Sequence, residues 1–138
     1  MFSEQLDNAL NLIFESKTYG CIVIHNDKLL MIKTSKGLEL PKGHKEKKEQ
    51  SHEAAKRETR EETGAIVNIP NKDHKEIAIR KDGRKTIFYH ANLEGQKNPT
   101  HQERGIEQFL WIPLEHININ DVVLWQRDIV NKLIPIMA

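Results

Sequence analysis

Cysteine is almost absent from this chain. Cys21 is the only one in 138 residues, so no disulfide can form within the chain, which fits a reducing, cytoplasmic compartment. It stands in the apolar run from Gly20 to Ile24, a setting for a buried structural thiol rather than a nucleophile. Long apolar runs are also missing: none approaches the roughly 20 residues that a membrane-crossing helix needs, so no membrane role is expected. Glu4 and Asp7 near the start argue against a secretory leader. An excess of one charge is lacking too, with 21 Lys and Arg against 20 Asp and Glu, so overall charge selects no class of partner. Nor does any stretch interleave aromatic with basic residues as a long nucleic-acid groove would. Repeats, low-complexity tracts and linkers are absent. The length suits one domain over residues 1–138 with a real core.

What is present is charge in clusters. Lys42, Lys45, Lys47 and Lys48 crowd before an acidic stretch, and Arg80, Lys81, Arg84 and Lys85 crowd later. Between Gly43 and Ala65 the chain reads GHKEKKEQSHEAAKRETREETGA. As a helix, its core puts Glu58, Glu61 and Glu62 on one stripe, within an arc of roughly 100°. Like charges at three- and four-residue spacing repel by a few tenths of a kcal/mol per pair. Arg57 and Arg60 point roughly 100° or more from the stripe's centre, so this reading leaves the carboxylates without a neutralising partner. Such a cluster wants a cation, and oxygen ligands without histidine or cysteine favour magnesium, manganese or calcium over zinc. Ala54 and Ala55 project near the same face and would leave room beside the carboxylates.

Around the cluster, the periodicity of apolar residues predicts a helix over residues 3–16, from Phe2, Leu6, Leu10, Ile13 and Phe14. Tyr19 to Ile24 reads as a buried strand, Asn26-Asp27 as a tight turn, and Leu29 to Lys33 as a second strand. Leu38 to Leu40 precedes Pro41. Ser51 is the expected N-cap of the acidic helix, and Gly64 its stop. Residues 76–80 and 85–93 read as a hairpin around Asp82-Gly83. A strand at Phe109 to Ile112 follows, then a last helix capped by Asn120 or Asp121 with Val122, Trp125, Ile129 and Leu133 on its apolar face. The fold class is α/β, a mixed sheet between helical layers.

The spacing of Gly43, Glu49, Arg57-Glu58, Glu61-Glu62 and Gly64 resembles the box of the Nudix hydrolases over residues 43–65. Thr59 stands where an aliphatic residue is common. The resemblance implies a Nudix-type α/β/α sandwich and hydrolysis of a nucleoside diphosphate linked to another group. It implies Mg2+ or Mn2+ held by Glu58, Glu61 and Glu62 with the Gly43 carbonyl, and a bracing role for Glu49 and Arg57. The general base is a box glutamate or a downstream acid, for which Glu107 is the candidate, with Glu103 behind it; many relatives carry the acid one position later, at Gln108 here.

Leu40-Pro41-Lys42-Gly43-His44 and Lys85-Thr86-Ile87-Phe88-Tyr89 resemble segments of diadenosine tetraphosphate hydrolases. On that likeness Lys42, His44 and Lys85 would contact phosphates, and Tyr89 would stack on a base or pack in the core. The implied substrate is a small nucleotide, a dinucleoside polyphosphate cut asymmetrically. Removal of pyrophosphate from 5′-triphosphate RNA or from a free nucleoside triphosphate stays open, as does a non-catalytic nucleotide sensor. A monomer and a homodimer are both compatible with the sequence.

Overall fold

The computed structural model describes residues 17–100 and 106–135. The expected helix over 3–16 lies outside the described residues, as does Glu103. Among the described residues eight strands form one mixed sheet: β1 (Lys17–His25), β2 (Lys28–Thr34), β3 (Gly37–Glu39), β4 (Lys42–His44), β5 (Ala65–Asn68), β6 (Lys75–Ile79), β7 (Lys85–Gln96) and β8 (Ile106–Pro113). Two helices accompany them among the described residues, α1 (Ser51–Thr63) and α2 (Arg127–Leu133), with three single-turn 3-10 segments before α2.

The centre of the sheet is a parallel pair, β1 on β7, running from Lys17 opposite Lys85 to Val23 opposite Ala91. All other strand pairings are antiparallel: β4 on β1, β2 on β1, β3 and β8 on β2, and β5 and β6 on β7. Asn26 and Asp27, at φ 50° and 61°, turn β1 into β2 with the left-handed backbone of a tight hairpin. Alternation along the strands divides the core. Tyr19, Cys21, Val23, Tyr89 and Ala91 face α1, packing on Ala54 and Ala55. Ile22, Leu29, Met31 and Phe88 face the other way, against Val122, Ile129 and Val130 of the C-terminal segment. The sheet is therefore covered on both sides, the expected α/β/α arrangement.

Three expectations are corrected. Ser51 is the first residue of α1 rather than its cap; Gln50 takes that position and makes no side-chain cap bond. The last helix starts at Arg127, because two 3-10 turns, Ile119–Asp121 and Leu124–Gln126, precede it with Val122 and Val123 between them; the Asn118 side chain accepts from the Asn120 N–H. Two short strands, β4 and β5, were not expected from the sequence. Gly64 ends α1 as expected, at φ 77°, its N–H donated to the Arg60 carbonyl.

Candidate functional site

The buried stripe of α1 is unusual for a helix lying on a sheet: Ala54, Ala55, Glu58, Thr59, Glu62 and Thr63. The two alanines let the helix approach the strands closely. The threonines satisfy themselves, Thr59 donating to the Ala55 carbonyl at 2.8 Å and Thr63 to the Thr59 carbonyl at 2.6 Å. Thr59 also meets Cys21, whose thiol burial pushes up to about 12, so this cysteine is structural and unreactive. Glu58 and Glu62, only 5% and 3% exposed, need stronger partners, since a buried carboxylate is costly unless paired.

Those partners come from β4 and from Arg57. The Lys42 N–H donates to Glu62 Oε1 at 3.0 Å. Gly43 lies against Glu58 so closely that a Cβ at residue 43 would fall on the Glu58 carboxyl group; glycine is required here by space. Arg57 reaches round the helix, contrary to the angular argument from the sequence. Its Nη1 donates to Glu58 Oε1 at 2.9 Å and to Glu61 Oε2 at 3.0 Å. The expected lack of a neutralising group is thus corrected: a long, flexible stem carries the guanidinium back over the acidic stripe.

The same guanidinium braces the preceding loop. Arg57 Nε donates to Glu49 Oε2 at 2.7 Å, and Nη2 donates to Glu49 Oε1 and to the His44 carbonyl, at 3.1 and 2.8 Å. This two-pronged bond holds the Glu49 carboxyl below its usual range and the guanidinium above its own. Glu49 in turn accepts from the Glu46 N–H. Glu49 and Arg57, the pair expected to brace the loop, thus bond to one another, and Arg57 also bonds to the His44 carbonyl.

The substrate-contact candidates are less gathered. Lys42 is at the site, its Nζ 3.8 Å from Glu39. His44 is exposed on the same strand. Lys85 is exposed two strands away, opposite Lys17 and one row past the Thr18–His44 pair. Tyr89 is 5% exposed, packed under α1, and its hydroxyl bonds with Ser51; burial raises its pKa. Its ring is closed to a base, so of the two roles left open it takes the core one. Glu107 lies in β8 where the register slips opposite Lys33 and Thr34.

Among the described residues no three His, Cys, Asp or Glu side chains already stand together as a ligand set. The donors still suit a hard cation: carboxylates and the Gly43 carbonyl, without sulfur or imidazole. Ligation by Glu58 and Glu61 would require their carboxylates to turn from Arg57. Sequence reasoning missed Glu39 and Trp125. Glu39 sits between two leucines, and that alternation is its signal in the sequence; the spacing of Trp125 matches the apolar face of a helix and gives none.

Buried carboxylates against a glycine edge strand, beside a basic loop, on a sheet between helical layers, define a pyrophosphohydrolase acting on phosphoanhydride bonds. The NUDIX domain family matches residues 16–133, and the chain belongs to it. Members act on derivatives of nucleoside diphosphates. Among solved structures, a NUDIX hydrolase from Nitrosomonas europaea is 17% identical, with 86% of each chain covered and a TM-score of 0.70. An ADP-ribose pyrophosphatase from Streptococcus suis is 14% identical over 85% of each chain, at 0.62. A C. elegans Ap4A hydrolase is 21% identical over 71% of this chain and 80% of its own, at 0.58. These likenesses carry the fold alone. No curated protein matches the chain. Among the described residues, no helix is long and apolar enough to cross a membrane.

Proposed function

We propose that this chain is a magnesium- or manganese-dependent hydrolase that cuts a dinucleoside polyphosphate, such as diadenosine tetraphosphate, asymmetrically in the cytoplasm. The observation that carries the catalytic part is the burial of Glu58 and Glu62 on the sheet-facing stripe of α1, with Glu58 against a glycine that alone leaves it room. Burying carboxylates is costly unless they are paired, so a helix that keeps two of them against a sheet supports a functional role for them. Glu58, Glu61, Glu62 and the Gly43 carbonyl would hold the ion. When bound, it offsets charge on the phosphate oxygens and lowers the pKa of the attacking water.

The protein's own groups do the rest. Lys42 and His44, on β4 beside the carboxylates, place ammonium and imidazole donors toward the polyphosphate. Arg57 keeps that strand and its loop fixed on α1 through Glu49 and the His44 carbonyl. A box glutamate or Glu107 takes the proton as the water oxygen bonds to phosphorus and the bridging oxygen leaves with the other phosphate. Support for the substrate rests on the Leu40 to His44 segment and the Lys85 strand.

The test is product analysis with purified protein, diadenosine tetraphosphate and magnesium. ATP plus AMP, abolished by chelator, is the expected outcome. Pyrophosphate released from 5′-triphosphate RNA, with the dinucleotide left intact, would replace the substrate. Binding without turnover across nucleotides would make the chain a sensor.

A further inference from the structure

A cleft of ≈600 Å³ opens on the face of the sheet opposite α1, between the β6–β7 turn and the 3-10 segment before α2. Ile79, Val123, Leu124 and Trp125 line it together with the charged side chains of Lys36, Arg80, Lys81 and Asp82. Its size suits a bound organic moiety. Two of its walls are conspicuous: Ile79 and Leu124 are 62% and 75% exposed, among the few large apolar side chains left to solvent in the described residues. Trp125 forms a third wall, its indole backed by Phe88 with centroids 6.4 Å apart and planes 28° from parallel.

Cations gather on that indole. The Arg80 guanidinium lies 5.2 Å from the ring centroid and Lys42 Nζ 5.7 Å from it. Lys42 links the cleft to the carboxylates, because its own N–H is the donor to Glu62 Oε1. Gln126, fully buried, accepts from the Leu40 N–H at 2.7 Å, tying the segment that carries Trp125 to the strand entry that carries Lys42. An aromatic wall, apolar sides and predominantly basic charge, with Asp82 in the lining and Glu39 3.8 Å from Lys42 Nζ as the acids among it, suit a ligand with a flat ring at one end and phosphates at the other.

We propose that this cleft takes the nucleobase of the substrate, stacked on Trp125, while Arg80 and Lys42 direct the attached phosphates past β4 toward Glu58 and Glu62. This inference rests on the hydrolase reading above and moves base recognition from Tyr89, which is buried, to Trp125. Trp125 and Arg80 are then specificity residues, outside the bond-breaking group.

The chain has two tryptophans, so Trp111→Phe leaves Trp125 as the sole indole reporter. In that protein, kept metal-free with chelator, ATP should quench the fluorescence saturably, and tripolyphosphate at equal concentration should not. In the otherwise unaltered enzyme, Trp125→Leu should raise KM for the cleaved nucleotide about tenfold or more, as loss of a base stack implies. Its kcat should stay within about threefold, and Trp125→Phe should restore most of the KM. A Trp125→Leu enzyme with unchanged KM, or equal quenching by ATP and tripolyphosphate, overturns the inference. If the unaltered protein hydrolyses no nucleotide while ATP still quenches Trp125, the hydrolase reading fails and the base cleft stands.

Discussion

Gly43 and Glu58 share one small volume, and that sharing is the residue-scale core of the site. A methyl group at position 43 would strike the Glu58 carboxyl, so Gly43→Ala must push either the strand or the carboxylate aside. A displacement of that order at a catalytic group can cost about 100-fold in rate. Gly43→Ala should therefore lose about two orders of magnitude in kcat while its far-ultraviolet spectrum stays unchanged; a rate within a few-fold of the parent would contradict the crowding argument.

His90, away from the site, gives a second residue-scale prediction. It stacks on His74 at 3.8 Å, with Glu76 also nearby, and burial first and His74 second lower its pKa from 6.5. The neutral form is thus favoured in the folded protein, and between the lowered value and 6.5 the unfolded chain binds more protons. Stability should fall as pH drops below about 6.5. His90→Phe, which can keep the stack, should flatten that part of the profile in urea melts at a series of pH values. A parallel decline in both proteins would remove His90 as the cause.

At the scale of elements, one arginine connects three things: the loop before α1, the helix itself and the acidic stripe. Arg57→Ala removes donors to Glu49, Glu58, Glu61 and the His44 carbonyl. Leaving those acceptors without their charged donor should cost about 1–3 kcal/mol. Because Glu58 and Glu61 then repel unopposed, magnesium should raise the melting temperature of Arg57→Ala more than that of the parent. Equal shifts in the two proteins would mean that Arg57 and the ion do not share carboxylates.

The same arginine measures how far the sequence could be read. Treating side chains as spokes put Arg57 off the acidic stripe, yet its stem is long enough to fold back over it. Strands with strong alternation, such as β1 and β7, and a helix with a glycine stop were legible from pattern. β4 was not, because Lys42-Gly43-His44 has no apolar period and is a strand only by pairing with Thr18 to Gly20. Tyr89 was ambiguous for a related reason: strand parity sets its face, but only the position of α1 decides that this face is closed. Apolar spacing puts Trp125 on a helix, because that spacing does not distinguish a 3-10 turn, which Leu124–Gln126 forms, from the start of a helix.

Over the whole molecule, the sheet separates two chemistries and β4 joins them. One face carries α1 with its carboxylates, and the other carries the cleft at Trp125. Lys42 reaches both, by its backbone to Glu62 and by its side chain to the indole. A nearly balanced net charge of +1 conceals this local polarity of acid beside base. The acid-bearing helix was evident from spacing within residues 43–65 and the fold class from the order of strands and helices along the chain, the sandwich being what the resemblance implies; the joining of the two faces required the tertiary path of β4.

The central claim is that Glu58, Glu61, Glu62 and the Gly43 carbonyl capture a hard divalent ion. Calorimetric titration of manganese into the purified protein tests it most directly, beside a Glu58→Gln/Glu62→Gln variant whose folding is confirmed by its spectrum. Saturable uptake by the parent, lost in the variant, is the predicted result. Equal uptake by both proteins, or none by the parent, would contradict it.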